Sequence, residues 1–145
     1  MNWKLKAAVQ NIISCLPSAQ SYNVYYWVQR RFGKLGRVNP SSRLIAGIET
    51  WKRIQRHVHS PSGKVFLEVG TGRAPLVPLA YWLMGAKSTI TIDLNPYLKE
   101  DLIAENLHYI SQNKEDILRL FGSLINRKRF NELLDFSQKK YIIDT

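Results

Sequence analysis

Glu68, Gly70, Gly72 and Asp93 are the residues whose types and spacing allow chemistry. Gly70 and Gly72 follow a short apolar run, Val65 to Val69, broken only by Glu68. Lacking a Cβ, glycines at these positions let the backbone turn sharply and approach a ligand closely. Asp93 ends a second, β-branched run, Ser88 to Ile92. A carboxylate there can accept two hydrogen bonds from a ribose diol. For the turn and the acid to meet, the two runs must be neighbouring parallel strands. The first reads as a buried parallel strand bounded by Gly63 and Gly70. A helix is expected from about Pro75 to Met84; Pro75 and Pro78 fit a first turn, where N–H groups lack partners anyway, and Gly85 supplies the stop. Lys64 to Asn95 is thus expected to be a βαβ unit. Ligands of open α/β sheets bind outside the carboxyl ends of the strands, which favours a nucleoside-containing cofactor.

The dinucleotide fingerprint G-x-G-x-x-G meets Gly70 and Gly72 but finds Pro75 at its third glycine, which argues against a nicotinamide-type site. Glu68-Val69-Gly70-Thr71-Gly72-Arg73-Ala74 instead resembles the first motif of the class I S-adenosylmethionine-dependent methyltransferases, an acid followed by G-x-G-x-G, with Ala74 in the last place. Thr91-Ile92-Asp93-Leu94-Asn95 is similar to the family's second motif. The resemblance covers about a third of the chain. It implies that Gly70, Thr71 and Gly72 line an S-adenosyl-L-methionine site, with the glycine backbone against the methionine part. It further implies that Glu68 faces the ammonium, Asp93 holds the ribose hydroxyls and Leu94 packs against adenine. The alternatives are a βαβ unit whose glycines only make a tight turn, and an NAD-type Rossmann domain.

At 145 residues the length suits one domain with a sizeable core. No apolar run approaches the roughly 20 residues of a membrane helix. Cys15 is the lone cysteine, so no internal disulfide can form, in keeping with a reducing compartment. The net charge of +10 is unevenly placed: residues 1–63 hold ten Lys or Arg and one acid, whereas residues 64–145 hold eleven bases and ten acids. This asymmetry points to an anionic partner.

Residues 1–63 are expected to form a basic helical cap over the sheet. Leu5, Val9, Ile12, Ile13 and Leu16 recur at helical spacing up to Pro17. A second, aromatic helix is expected from about Ser21 to Phe32. Pro40-Ser41-Ser42 reads as the capped start of a third, with Leu44, Ile48, Trp51, Gln55 and Val58 near one face. Ser60 to Gly63 reads as a linker. Gln10 and Asn11 interrupt the apolar stretch a secretion signal needs, so a cytoplasmic protein is expected. Trp3, Lys4, Lys6, Trp27, Arg30, Arg31, Lys34 and Arg37 could add peripheral contact with an anionic membrane. Nucleic acid is disfavoured, because no recognised binding motif is present. His57 and His59 lack nearby Cys, Asp or Glu to complete a metal site, and no metal is expected.

Beyond the βαβ unit, Asn95-Pro96 reads as the cap and first residue of a helix carrying Leu98, Leu102, Ile103, Leu107 and Ile110. Residues 114–125 and 129–137 read as short helices, Arg127-Lys128-Arg129 as a solvated turn, and Tyr141-Ile142-Ile143 as the start of a third strand.

The expected fold class is α/β. By the resemblance it is a Rossmann-like class I methyltransferase fold with an incomplete parallel sheet and an N-terminal helical cap. Residues 64–145 would be the N-terminal half of the S-adenosylmethionine-binding domain. The expected function is transfer of a methyl group to an unidentified small-molecule, sugar or lipid acceptor. The chain is expected to be the cofactor-binding portion of such an enzyme and inactive alone, because the elements that hold the acceptor would lie further on. The competing class is a non-catalytic nucleoside-cofactor-binding or interaction protein on the same scaffold. No residue stands out as a catalytic base.

Overall fold

A computed structural model of the chain describes residues 3–36, 38–57 and 60–143. Arg37, Val58 and His59 lie outside the described residues, as do the side chains of Leu5, Lys6, Val9, Lys34 and residues 138–143. The chain forms two compact units, Met1–Val38 and Asn39–Thr145.

The first unit is a helical hairpin of α1 (Trp3–Ser14) and α2 (Ser18–Phe32), followed by a 3-10 turn at Lys34–Gly36. Pro17 opens α2 rather than merely ending α1: its carbonyl accepts the amides of Gln20 and Ser21, both at 2.9 Å, so α2 starts earlier than expected. Tyr25 joins the helices, its hydroxyl accepting from Gln10 Nε2 and Gln29 Nε2 at 3.0 Å each.

The second unit is α/β. Its elements in order are α3 (Ser41–Gln55), β1 (Val65–Val69), α4 (Leu76–Leu83), β2 (Ser88–Ile92), α5 (Glu100–Gln112), α6 (Lys114–Phe121) and α7 (Arg127–Ile143). As expected, β1 and β2 pair in parallel, Val65 opposite Ser88 through Val69 opposite Ile92, and the amide of Gly70 extends the ladder to Ile92 O at 2.8 Å.

Helix α3 buries Leu44, Gly47, Ile48 and Trp51, a spacing that lines one helical face. The expected serine cap is absent: Asn39 Oδ1 takes the Ser41 amide at 2.9 Å instead. Gly47 lets α3 meet α4 closely, since a Cβ there would stand 2.6 Å from Ala80 Cβ. Trp51 stacks on Phe66 of β1 at 5.6 Å, and Phe66 on Tyr81 of α4 at 4.6 Å. Both helices therefore pack on the Phe66 face of the sheet.

The opposite face is bare, which corrects the expectation of a buried strand. Val65, Leu67, Val69, Ile90 and Ile92 are exposed, Leu67 by 64%. Alternation places these odd- and even-numbered partners on one side. Within the second unit no described element covers them.

The segment Ser60–Gly63 is no free linker. Pro61 is fully buried, and the Gly63 amide donates to Gly85 O at 2.8 Å. Pro78 falls in the first turn of α4, where its missing N–H costs no helical bond.

Three further expectations are corrected after β2. Asn95-Pro96 does not open a helix; α5 begins at Glu100, with Lys99 as its cap. Arg127 to Arg129 form the first turn of α7 rather than a solvated loop. Asn126 Oδ1 accepts the Arg129 amide at 3.2 Å, and the Arg129 guanidinium donates to Trp82 O and Ala86 O, both at 2.6 Å. Tyr141-Ile142-Ile143 is the helical end of α7, not a strand. Ile110, Ile117, Phe121, Phe130 and Leu133 of α5, α6 and α7 complete the core.

Candidate functional site

The carboxyl ends of β1 and β2 lie side by side, and the glycine turn leaves from the first. Gly70 has φ +82° and Gly72 φ +78°, a region that L side chains rarely adopt. A Cβ built on either meets no atom within 4 Å, so the turn presents bare backbone to open space. Its residues are required for their backbone angles, and the space beside them is vacant of protein.

Asp93 follows the last residue of β2. Its Oδ2 accepts the Gly72 amide at 2.8 Å, and its Oδ1 accepts the Leu94 amide at 2.9 Å. A carboxylate offers about four acceptor positions. Two oriented bonds therefore leave one acceptor position on each oxygen.

Glu68, the fourth residue of β1, points to the helix-covered face. Its Oε2 accepts the Thr71 hydroxyl at 3.1 Å, and Thr71 is itself buried. Burial, foremost, pushes the Glu68 carboxyl above its ordinary value; the Thr71 bond and the Arg43 charge oppose this, and the Asp93 charge adds to it. Tyr81 is pushed up too, by burial first, against a hydrogen bond with Thr50 and together with the Glu68 charge. A carboxylate in this setting is an acceptor for a cationic group, whose charge would offset the lost hydration.

The structure thus brings Glu68 to Thr71 and Gly72 to Asp93, joining the two motifs by a direct bond. Gly70 is committed to the sheet ladder. Leu94 stands apart from the rest, 97% exposed. Sequence reasoning missed Arg43, which acts on Glu68 from α3, a helix far away in the chain. It also missed Lys99, whose amide donates to Arg73 O at 3.0 Å and ties the segment after β2 to the glycine turn. Hydrophobic spacing carries no signal for either.

No family model, curated protein or solved structure matches the chain.

A groove elsewhere, between α1 and α2, is lined by Gln10, Ile13, Ser14, Ser21, Tyr22 and Tyr25. It encloses ≈ 220 Å³, below the roughly 300 Å³ at which small-molecule pockets begin, and it holds none of the motif residues. Among the described residues no group of three or more His, Cys, Asp or Glu could hold a metal.

Proposed function

We propose that the crevice at the ends of β1 and β2 is the nucleoside half of an S-adenosyl-L-methionine site, and that the chain is a Rossmann-like class I methyltransferase or its cofactor-binding portion. The observation that supports this most is the Asp93 carboxylate. It is held by two backbone amides and bonds to a turn whose two glycines have open space where a Cβ would stand. Glu68 and Thr71 would take the cofactor's ammonium, the glycine backbone its methionine chain, and Leu94 the adenine ring. Leu94's exposure leaves it ready to be covered by an apolar surface.

The cofactor would supply an electrophilic methyl on sulfur. The protein's share is to fix the nucleoside at Asp93 and the ammonium at Glu68, so that the methyl is aimed at one place; orientation of this kind carries much of the rate in such transfers. The acceptor is a small molecule, sugar or lipid that approaches from the open side.

Chemical shifts of the backbone amides test the reading. S-adenosyl-L-methionine should perturb Gly70, Thr71, Gly72 and Leu94 selectively in a titration. NAD should perturb them less, and Asp93→Asn should weaken the response about tenfold or more by removing one acceptor. A larger response to NAD, or none to S-adenosyl-L-methionine at millimolar concentration, overturns it.

A further inference from the structure

The hairpin of α1 and α2 buries Ile13 but leaves Trp3, Ile12, Trp27 and Phe32 facing solvent, Trp27 by 60%. On α2, Val24, Trp27 and Arg31 recur at the three- and four-residue spacing that lines one face, and all three are exposed. Phe32 adds its ring to Trp27 edge-on, centroids 6.0 Å apart at 78°. Residues 1–38 carry six Lys or Arg and no Asp or Glu. Among the described residues no helix is long and apolar enough to cross a membrane.

We propose that this hairpin docks on an anionic lipid surface, the exposed face of α2 entering the headgroup region. Tryptophan and phenylalanine beside arginine suit that boundary, where an apolar body and a charged tip are both accommodated. The charge is complementary to anionic lipid, and each base near such a surface adds about fivefold to binding. Nucleic acid is the poorer partner. Stacking on bases needs a row of aromatic rings, whereas Val24 and Ile12, exposed beside the rings, offer no stacking surface. A second copy would bring the same excess of basic residues to the contact. This proposal does not rest on the methyltransferase reading, and it concerns no residue of the crevice.

The test is co-sedimentation of the full chain with vesicles of phosphatidylcholine alone and of phosphatidylcholine mixed with phosphatidylglycerol. Binding is expected to the mixed vesicles only, with a blue shift of tryptophan emission and loss at high salt. Arg31→Gln should weaken it about fivefold. The double variant Trp27→Ser, Phe32→Ser should weaken it at least tenfold, with helix content checked by circular dichroism. Equal binding to both vesicle types overturns the proposal, as does unchanged binding by Arg31→Gln and the double variant. So does tighter binding to a single-stranded oligonucleotide than to the mixed vesicles, or a dimer that these variants dissociate.

Discussion

The backbone amide of Gly72 donates to the Asp93 carboxylate at 2.8 Å, so the glycine turn after the first strand is pinned by the acid that ends the second. Asp93 therefore has a structural task as well as a proposed binding one. Asp93→Ala removes the acceptor of both the Gly72 and the Leu94 amides, and about 1–2 kcal/mol of stability should go with them. Asp93→Asn keeps one acceptor and should lose less. Urea unfolding of the two variants measures the difference, and equal stability of Asp93→Ala and the parent would show that the bonds contribute nothing.

Gly72 is a poor position for a bulky probe. Its φ of +78° makes any L side chain strained, by roughly 1–2 kcal/mol. Gly72→Val should destabilise the turn even though open space surrounds it, whereas Gly72→Asn, which tolerates this region better, should remain closer to the parent. Thermal unfolding of the pair separates backbone strain from any effect on ligand binding.

Glu68 carries a pH dependence with a definite sign. Burial raises its pKa in the folded chain, so the folded state holds the proton more tightly than the unfolded one. Its contribution to stability is present below the unfolded value and lost as pH rises through the folded one. Glu68→Gln keeps an acceptor for Thr71 and removes the half-buried charge. The variant should be more stable than the parent at neutral pH, by less than about 1 kcal/mol because water screens the group, and the gain should vanish on acidification. Denaturation at pH 7 and below pH 4 is the measurement. A gain that grows in acid would contradict the assignment.

Gly47 sets the distance between α3 and α4. Gly47→Ala improves helix propensity by about 1 kcal/mol, but the new methyl would lie 2.6 Å from Ala80 Cβ, and overpacking of this kind costs about 1–3 kcal/mol. Steric overlap should win, giving net destabilisation. The double variant Gly47→Ala, Ala80→Gly should recover part of the loss, because it removes the opposing atom. A stabilised Gly47→Ala would show that the helices separate freely.

Arg129 closes the C-terminal helices onto the βαβ unit. Its guanidinium donates to Trp82 O and Ala86 O and lies 5.5 Å from the Trp82 ring. Arg129→Met keeps much of the apolar stem and loses both charged bonds, for an expected cost of about 1.5–3 kcal/mol. Arg129→Lys, lacking the planar fork, should restore only part. Neighbouring Arg127→Met should be near neutral, because Arg127 is exposed.

Local pattern was enough for the strand, turn, helix and strand of residues 65–92. Each depends on neighbours in the chain: β-branched runs, glycines where φ is positive, prolines in a first turn. The buried face of α3 was legible for the same reason, Leu44, Ile48 and Trp51 following helical period. The three-residue apolar run Tyr141 to Ile143 misled, because so short a run does not distinguish strand from helix, and continuity with the preceding turns of α7 decided it. Asn95-Pro96 misled because capping chemistry allows a helix start without requiring one.

The sequence by itself determined the βαβ unit and the identities of Glu68, Gly70, Gly72 and Asp93, since these follow from side-chain period and backbone preference within a few residues. Only the tertiary structure decided that Gly72 bonds to Asp93, that burial raises the Glu68 pKa against the Thr71 bond and the Arg43 charge, and that Val65, Leu67, Val69, Ile90 and Ile92 are exposed. The parallel pairing of β1 with β2 and the packing of α3 and α4 on a single face create those relationships between residues far apart in the chain, where no local period records them.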